Sequence, residues 1–178
     1  MELDSGMDES VAELVARQLR GKRVVLAVSG GRDSMTLMHA ALTHARESVA
    51  CVASFDHATG AHSARALSLV DSEARELGAA VITERATTTA RTEAEWRAQR
   101  WSFLRRVARE RGAQVATAHT RDDQIETVLM RTMRGAGARG IAALAVEGPS
   151  PIGVLRPMLE VSRADVADYA ARARLAWE

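Results

Sequence analysis

Cysteine, lysine and aromatic residues are all scarce in this chain of 178 residues. Cys51 is the only cysteine, which excludes an internal disulfide framework and any cysteine-rich metal or iron–sulfur site built within one chain. Lys22 is the only lysine, and it stands before the first long apolar segment. Aromatic residues make up 3% of the chain, so aliphatic side chains and methionine have to fill the hydrophobic core.

Long apolar runs and a strong net charge are absent as well. No apolar run reaches the roughly 18 residues of a membrane span, and the acidic start at Met1–Asp4 lacks the apolar region of a signal peptide. We therefore expect a cytoplasmic protein without a membrane partner. The 24 basic and 23 acidic residues nearly balance, so charge alone does not demand a nucleic-acid partner. The length fits one domain.

Segments of strand type and of helix type alternate along the chain. Val24–Val28 is a continuous apolar run of strand length, which is typical of a strand buried on both faces of a parallel sheet. The pattern predicts strands at 24–28, 49–55, 80–83, 115–118 and 152–155. It predicts helices at 8–20, 34–44, 63–77, 92–112, 122–134 and from 162 onward. The alternation indicates an α/β fold with a Rossmann-like, doubly wound parallel sheet of about five strands, for which we expect the order 3-2-1-4-5.

A loop with two adjacent glycines connects the first predicted strand to the next helix. The glycines allow its backbone to turn tightly and to approach a ligand, and the N-terminus of the following helix favours an anion. The loop is neither a Walker A sequence nor Gly-x-Gly-x-x-Gly, and a lone glycine pair after a strand is most often only a turn. Flanking serine hydroxyls and an internal aspartate favour a phosphate site. The predicted phosphate-binding residues are Ser29, Gly30, Gly31, Arg32, Asp33 and Ser34.

Asp33 requires a cation if phosphate occupies this loop. A carboxylate about 5 Å from a phosphate charge costs about 3 kcal/mol at an effective dielectric near 20, whereas a helix dipole returns only about 0.3–1 kcal/mol. Mg²⁺ is the natural cation, since it is held by one or two carboxylates together with phosphate oxygens. Asp33 is therefore a predicted ligand of Mg²⁺.

A second polar loop follows the fourth predicted strand and contains His119, Asp122 and Asp123. In the expected strand order, this strand neighbours the first one at the switch point, where ligands bind outside the carboxyl ends of the strands. Asp123 would then share Mg²⁺ with Asp33, Asp122 would be a further ligand, and His119 would point to the same place. In the simpler alternative, the two aspartates cap the following helix and offset its dipole.

Four further side chains are candidates on weaker grounds. His57 follows the second predicted strand, at the same end of the sheet, and is either a substrate contact or an ordinary polar loop residue. Arg97 and Arg100 share one face of the fourth predicted helix, either as phosphate contacts or as part of a solvated basic stripe. Arg139 lies in a glycine-rich loop that is flexible by default and that would, on closing over substrate, bring Arg139 to a phosphate.

Five ordered segments resemble the motifs of the tRNA(Ile)-lysidine synthases, a family of N-type PP-loop ATP pyrophosphatases. Ser29–Ser34 matches the PP-loop, and Ala118–Thr127 is similar to the family's Ala-His-x-x-Asp-Asp-x-x-Glu-Thr segment. Arg97–Trp101 resembles Arg-x-x-Arg-Tyr, and Gly135–Ile141 and Leu155–Leu159 match further motifs in order and spacing. The resemblance covers nearly the whole chain.

The resemblance implies an adenine nucleotide alpha-hydrolase-like fold and an ATP-dependent ligase that forms a carbon–nitrogen bond. ATP would bind on the PP-loop with Mg²⁺. The C2 oxygen of the wobble cytidine of tRNA(Ile) would attack the α-phosphorus and release pyrophosphate, and the ε-amine of free lysine would then displace AMP to give lysidine. The residues it implies to be catalytic are Asp33, His119, Arg97 and Arg100.

The chain departs from the family at two places. After the second predicted strand the family usually has Asn-His-x-Leu-Arg-x-x-Ser; Asp56, His57 and Ser63 keep their places here, but Thr59 and Gly60 stand for Leu and Arg. The family also continues beyond residue 178 with an Asp-x-x-Asn segment and tRNA-binding parts. We therefore expect residues 1–178 to be the PP-loop catalytic domain, without those C-terminal parts.

Two other functions fit the same residues. One is another PP-loop ligase that acts on a small molecule, and the other is a non-catalytic ATP-binding module. Lys22 lies at the wrong end of the predicted sheet for a ligase that forms lysyl-AMP. The single Cys51 argues against the tRNA-thiolating relatives, which usually depend on several cysteines. The oligomeric state stays open, and an oligomer is compatible with the sequence.

Overall fold

A single parallel sheet organises the protein, of which the computed structural model describes residues 10–86, 92–133 and 153–178. The strands are β1 Val24–Ala27, β2 Val49–Asp56, β3 Val81–Arg85, β4 Gln114–Ala116 and β5 Val154–Leu155. They lie in the order β3-β2-β1-β4-β5, and every neighbouring pair is parallel. The predicted fold class and strand order are confirmed.

Helices cover both faces of this sheet, and three of them begin after a residue whose side chain caps the helix. The helices are α1 Val11–Leu19, α2 Arg32–His44, α3 Ala61–Glu76, α4 Glu93–Arg111, α5 Arg121–Met133 and α6 Arg163–Arg172. Ser10 and Ser162 form capping boxes at the starts of α1 and α6, and Thr92 caps α4 by accepting a hydrogen bond from the Glu95 N–H. Among the described residues, no helix is long and apolar enough to cross a membrane.

The central strand β1 sends its side chains into two separate cores. Val24 and Leu26 pack with residues of α1, α2, α3 and α6, whereas Val25 packs with Phe103 and Val107 of α4 on the other face. Burial on both faces is what the unbroken apolar run of β1 predicts. The two helical layers leave the carboxyl ends of β1, β2 and β4 together at one edge.

Several element boundaries differ from the predicted ones in ways that affect this edge. α2 begins at Arg32 rather than at residue 34, because the extended Gly31 (φ −74°, ψ 158°) is its N-cap. Arg32 and Asp33 therefore belong to the first helical turn. β4 ends at Ala116 rather than at residue 118, so the loop that contains His119 begins two residues earlier than predicted, at Thr117.

Candidate active site at the carboxyl ends of the strands

A cavity of about 620 Å³ opens where β1, β2 and β4 end. The loop after β1 forms its polar wall, and the side chains of Phe55, Trp101 and Leu104 contribute an apolar wall. The predicted site residues that line it are Ser29, Gly31, Arg32, Asp33, Ser34, His57, Arg100 and His119. Predicted site residues from four separate segments of the chain thus meet at the switch point, where the strand order places a ligand.

Ser34 shapes the loop after β1 from within. Its hydroxyl donates to the carbonyl oxygen of Gly31 at 2.8 Å and accepts a hydrogen bond from the Ser29 N–H at 3.2 Å. The two serine Oγ atoms are 3.2 Å apart, and Ser34 is buried whereas Ser29 is exposed. Of the two hydroxyls, that of Ser29 is the more accessible to a ligand.

The two glycines of the loop have different reasons to be there. Gly30 has φ +90°, and a Cβ at this position would lie 2.8 Å from the Cβ of Ala66 in α3. Gly31 has an ordinary φ, and a Cβ there would meet only the Ser29 Oγ at 3.8 Å. Within this loop the backbone therefore requires glycine at Gly30 and not at Gly31, for which close approach of a ligand stays a prediction.

Asp33 has the position expected of a carboxylate beside bound phosphate. It lies in the first turn of α2 and lines the cavity, and its side chain is 32% exposed. Its nearest cation is the neighbouring Arg32, whose Nε is 3.5 Å from Oδ1. The first N–H groups of α2 lack intrahelical acceptors, which makes this end of the helix favourable for an anion. This accessible carboxylate fits one ligand of a Mg²⁺ ion.

Asp122 and Asp123 begin α5, as predicted, but both are already engaged. Asp123 accepts hydrogen bonds from the Thr120 N–H at 2.8 Å and from Nη2 of Arg163 at 2.8 Å. Asp122 accepts one from the Arg163 N–H at 2.9 Å, and Glu126 pairs with the same guanidinium. Burial opposes ionisation of Asp123, yet the hydrogen bonds from Thr120 and Arg163 outweigh it and lower its pKa.

These contacts give the two aspartates a structural role. Thr120 caps α5 by accepting a hydrogen bond from the Asp123 N–H, and the Asp123 carboxylate returns the bond to the Thr120 N–H and ties the start of α5 to Arg163. Neither aspartate is among the residues that line the cavity. The alternative of helix capping is thus observed. In this arrangement the pair does not fit Mg²⁺, and sharing of the metal between Asp123 and Asp33 stays a prediction that requires the Arg163 contacts to be exchanged.

His119 lines the cavity and is held by Thr117, a residue that the sequence patterns did not single out. The Nδ1 atom of His119 lies 2.9 Å from the Thr117 Oγ1. Residues i and i+2 of an extended segment share a face, and this spacing just beyond β4 is the only sequence signal that pointed to Thr117.

His57 lies in an aromatic setting on the opposite wall. Its ring centroid is 5.0 Å from that of Phe55 and 6.1 Å from that of Trp96. Burial, reinforced by the nearby Arg100, lowers the pKa of His57 and so favours the neutral form of its ring. Its Nδ1 is buried and has no hydrogen-bond partner within the described part of the chain.

The three candidate arginines have different positions. Arg100 lines the cavity beside His57. Arg97 is exposed and lies outside the cavity lining, so the structure does not bring the i, i+3 pair together at the site. Arg139 lies outside the described residues.

The segment after α6 contacts both the loop after β1 and the first turns of α3. The Glu178 N–H donates to the carbonyl oxygen of Gly30 at 3.1 Å, and its carboxylate is 3.1 Å from Nδ1 of His62 and 3.2 Å from Nε of Arg65. Gly60, where the resembling family has arginine, precedes α3 with φ +129°, a conformation that residues with a side chain rarely adopt. The glycine at position 60 therefore suits the backbone conformation of the loop between β2 and α3.

Comparison with known proteins shows a match to one family model along nearly the whole chain. The model, described as the PP-loop domain, matches residues 3–178. The tRNA(Ile)-lysidine synthase of Bdellovibrio bacteriovorus is 32% identical over 174 residues, which cover 95% of this chain and 54% of that protein. The tRNA(Ile)-lysidine synthase of Bradyrhizobium diazoefficiens is 38% identical over 172 residues, which cover 92% of this chain and 48% of that protein. The chain thus spans about half the length of these curated relatives.

Among solved structures, the U34-tRNA thiolase NcsA from Methanococcus maripaludis, determined with its [4Fe-4S] cluster, has the same fold. It superposes with a TM-score of 0.76 at 15% identity, over 94% of this chain and 63% of that one. Cys51, the single cysteine of the present chain, is buried in β2.

Proposed function

This chain belongs to the PP-loop domain family, and from that premise we propose that it is the catalytic domain of a ligase of the tRNA(Ile)-lysidine synthase type. Its substrates would be ATP, the wobble cytidine of tRNA(Ile) and free lysine. The observation that carries the proposal is the cavity at the switch point, where a glycine turn, a helix N-terminus and Asp33 meet Arg100, His57 and His119. The curated relatives with matching sequence support the choice of substrate.

The proposed reaction has two steps, each of which uses groups on the cavity wall. In the first, the C2 oxygen of the cytidine bonds to the α-phosphorus of ATP while the bond to the bridging oxygen breaks and pyrophosphate leaves. In the second, the ε-amine of lysine loses a proton and bonds to C2 while the C2–O bond breaks and AMP leaves. The loop and the N–H groups of α2 would bind the phosphates, Arg100 would offset their charge, and His119 would orient groups near the α-phosphate.

Asp33 would hold Mg²⁺, which supplies charge neutralisation for the phosphates when it is bound. Arg97 and Arg139 would contact phosphate or substrate from outside the cavity. His57, which lines the cavity beside Phe55, would contact the substrate from a largely apolar wall. The protein would act in the cytoplasm, where its substrates occur.

Mass spectrometry of tRNA tests the whole proposal. The chain is incubated with tRNA(Ile) at saturating concentration, ATP, lysine and Mg²⁺, and the anticodon fragment is analysed for a lysyl addition on the wobble cytidine. Pyrophosphate release is followed in the same samples. A transcript with uridine at the wobble position and the variant Asp33→Asn are the matched controls, and neither should yield the product.

The two alternatives make different predictions in this experiment. Pyrophosphate released without tRNA would favour a ligase that acts on a small molecule. ATP bound but not consumed under every condition would favour a non-catalytic module and would overturn the proposed reaction.

A further inference from the structure

The segment that follows α6 holds one peptide unit of the loop after β1. The Glu178 N–H donates to the carbonyl oxygen of Gly30 at 3.1 Å. The segment is itself anchored, since the Leu175 N–H donates to the carbonyl oxygen of Ala170 at 3.0 Å and the Leu175 side chain packs against the core. The donor to Gly30 is therefore held in place by the body of the domain.

The side chain of Glu178 ties the same residue to α3. Both of its carboxylate oxygens lie 3.2 Å from Nε of Arg65, and one of them lies 3.1 Å from Nδ1 of His62. Arg65 directly precedes Ala66, the residue that closes the space beside Gly30. Helix α3 therefore supports Gly30 in two ways, by direct contact and through Glu178.

The hydrogen bond to Gly30 sets the direction of the next amide. The peptide bond between Gly30 and Gly31 is trans, and in a planar trans peptide the C=O and the N–H point in opposite directions. Because the Gly30 C=O is directed at Glu178, the Gly31 N–H is directed away from it. Gly31 lines the cavity, whereas Gly30 and Glu178 are not among the lining residues, so this N–H is on the cavity side of the peptide.

Glycine on both sides makes this peptide easy to invert. A half-turn of the peptide plane changes ψ of Gly30 and carries φ of Gly31 from its observed −74° to a positive value, and glycine tolerates φ of either sign. The inverted peptide would direct the Gly30 carbonyl oxygen to the cavity side, where it would face the acceptor oxygens of a phosphate. The observed peptide is the one that presents a donor there.

We propose that Glu178 is a positioning residue that holds the peptide between Gly30 and Gly31 with its N–H toward the cavity, where this N–H donates to a phosphate oxygen. The inference rests on the proposed use of the cavity for ATP. A donor that is oriented before the ligand arrives needs no rearrangement on binding. When the hold of Glu178 is lost, part of the population inverts, and the apparent affinity for ATP falls with the fraction that stays competent.

NMR of the free, isotope-labelled full chain tests the inference without ATP. Glu178→Pro removes the donating N–H, whereas Glu178→Ala keeps it and removes only the side-chain tie. In the wild type we expect a coupling across the hydrogen bond, between the Glu178 nitrogen and the Gly30 carbonyl carbon, and Gly31 amide couplings that fit one φ near −74°. In Glu178→Pro the Gly31 couplings should move toward an average over negative and positive φ, and in Glu178→Ala they should move less.

A second substitution gives a readout that a purely structural role would not move. Gly31→Ala disfavours positive φ, and its Cβ would meet only the Ser29 Oγ at 3.8 Å. Added to Glu178→Pro, it should restore a single negative φ at this position, because the inverted peptide is then strained. The rescue is read from the couplings of the substituted residue, which report its φ and not the stability of the fold.

Two arginines of α3 form a matched pair that tests the side-chain tie. Arg65→Ala removes the partner of Glu178 and should shift the Gly31 couplings in the same direction as Glu178→Pro, but by less. Arg75→Ala breaks the 2.8 Å ion pair with Asp71 on the same helix and should leave the Gly31 couplings as in the wild type. Should Glu178→Pro not fold, this pair and the coupling across the hydrogen bond decide the question.

ATP binding supplies a functional readout. Loss of the one hydrogen bond that holds the peptide should raise Kd for ATP roughly three- to tenfold in Glu178→Pro, as measured by calorimetry. The rate of pyrophosphate release at saturating ATP should change by less than about twofold, because bound ATP itself selects the competent peptide.

The outcomes separate this inference from the proposed function. Gly31 couplings in a folded Glu178→Pro that still fit one negative φ would overturn the role of Glu178, and so would the absence of the coupling across the hydrogen bond in the wild type. A wild-type chain that binds no ATP would overturn the proposed function, and the couplings of the free protein would still decide whether Glu178 orients the peptide.

Discussion

The Cβ position of Gly30 lies 2.8 Å from the Cβ of Ala66, so the loop after β1 and the helix α3 meet where no side chain fits between them. The same contact brings the first two turns of α3 to the rim of the cavity, where Ser63 and Ala66 are lining residues. The position of the loop is therefore coupled to that of α3 by direct backbone contact.

Gly30→Ala should destabilise the protein and weaken ATP binding. The substitution forces an L-residue into φ +90° and a Cβ against Ala66, and strain of this kind costs about 1–3 kcal/mol. Gly31→Ala is the matched control, because its Cβ meets only the Ser29 Oγ at 3.8 Å, and its stability should stay within about 0.5 kcal/mol of the wild type. Chemical denaturation measures both, with calorimetry for ATP. Equal losses of stability in the two variants would contradict the assignment of the tight turn to Gly30.

Asp33→Asn should leave the fold intact and abolish most of the ATP chemistry. Asp33 is partly exposed and its only described ion pair is the weak one with Arg32, so the free energy of unfolding should change little. Pyrophosphate release should fall by roughly a hundredfold or more, because charge stabilisation at the phosphates is often the largest catalytic contribution. Turnover at the wild-type rate under saturating Mg²⁺ would show that Asp33 is not the metal ligand.

Asp123→Asn should lower stability at neutral pH by about 1 kcal/mol, since it weakens charged hydrogen bonds at a partly exposed site. The pKa of Asp123 is lowered from its usual 3.8, so its contribution is fully present above about pH 4 and is lost as the pH falls through the lowered folded-state value. The stability difference between wild type and variant should accordingly shrink in acid. Urea denaturation across pH measures this.

The exposed Asp168→Asn in α6 is the matched control for that series. A stability difference for Asp123→Asn that does not depend on pH would mean that its ionised contacts are not what holds α5. The prediction that Asp123 binds Mg²⁺ is tested by measuring pyrophosphate release by Asp123→Asn as a function of Mg²⁺ concentration. Loss of a metal ligand has to change the Mg²⁺ concentration at which the rate is half-maximal.

The chain should bind tRNA weakly and with a shallow dependence on salt. Binding of nucleic acid grows steeper in salt with the number of phosphates that Lys and Arg neutralise, and the net charge here is only +1. Gly60 also stands where the resembling family has an arginine. We expect the chain to bind ATP normally, because the residues proposed to bind ATP are all within it. Filter binding with tRNA(Ile) across salt concentrations measures the slope, and tight binding with a steep slope would contradict this expectation.

The sheet could be predicted because each strand is marked by a local sequence pattern. The contacts at the site join residues that are far apart in the sequence, so no local pattern predicts them. The unbroken run Val24–Val28 marks a strand buried on both faces wherever it occurs, and alternation with helices then restricts the topology. By contrast, Asp123 and Arg163 lie 40 positions apart, and no periodicity encodes that one will neutralise the other. Residue type and the expected strand order suggested a metal ligand at Asp123, and only the contact between the starts of α5 and α6 identifies its observed partner.

The central place of β1 has a consequence for synthesis on the ribosome. β2 follows β1 closely in the chain and pairs with one of its edges. The partner of the opposite edge is β4, which is synthesised only after α4. At about 5–20 residues per second, that edge stays open for on the order of ten seconds, bordered by the apolar Val25 and Leu26. A nascent chain paused before Gln114 therefore presents an unpaired apolar strand, which is the kind of surface that aggregates unless a chaperone covers it.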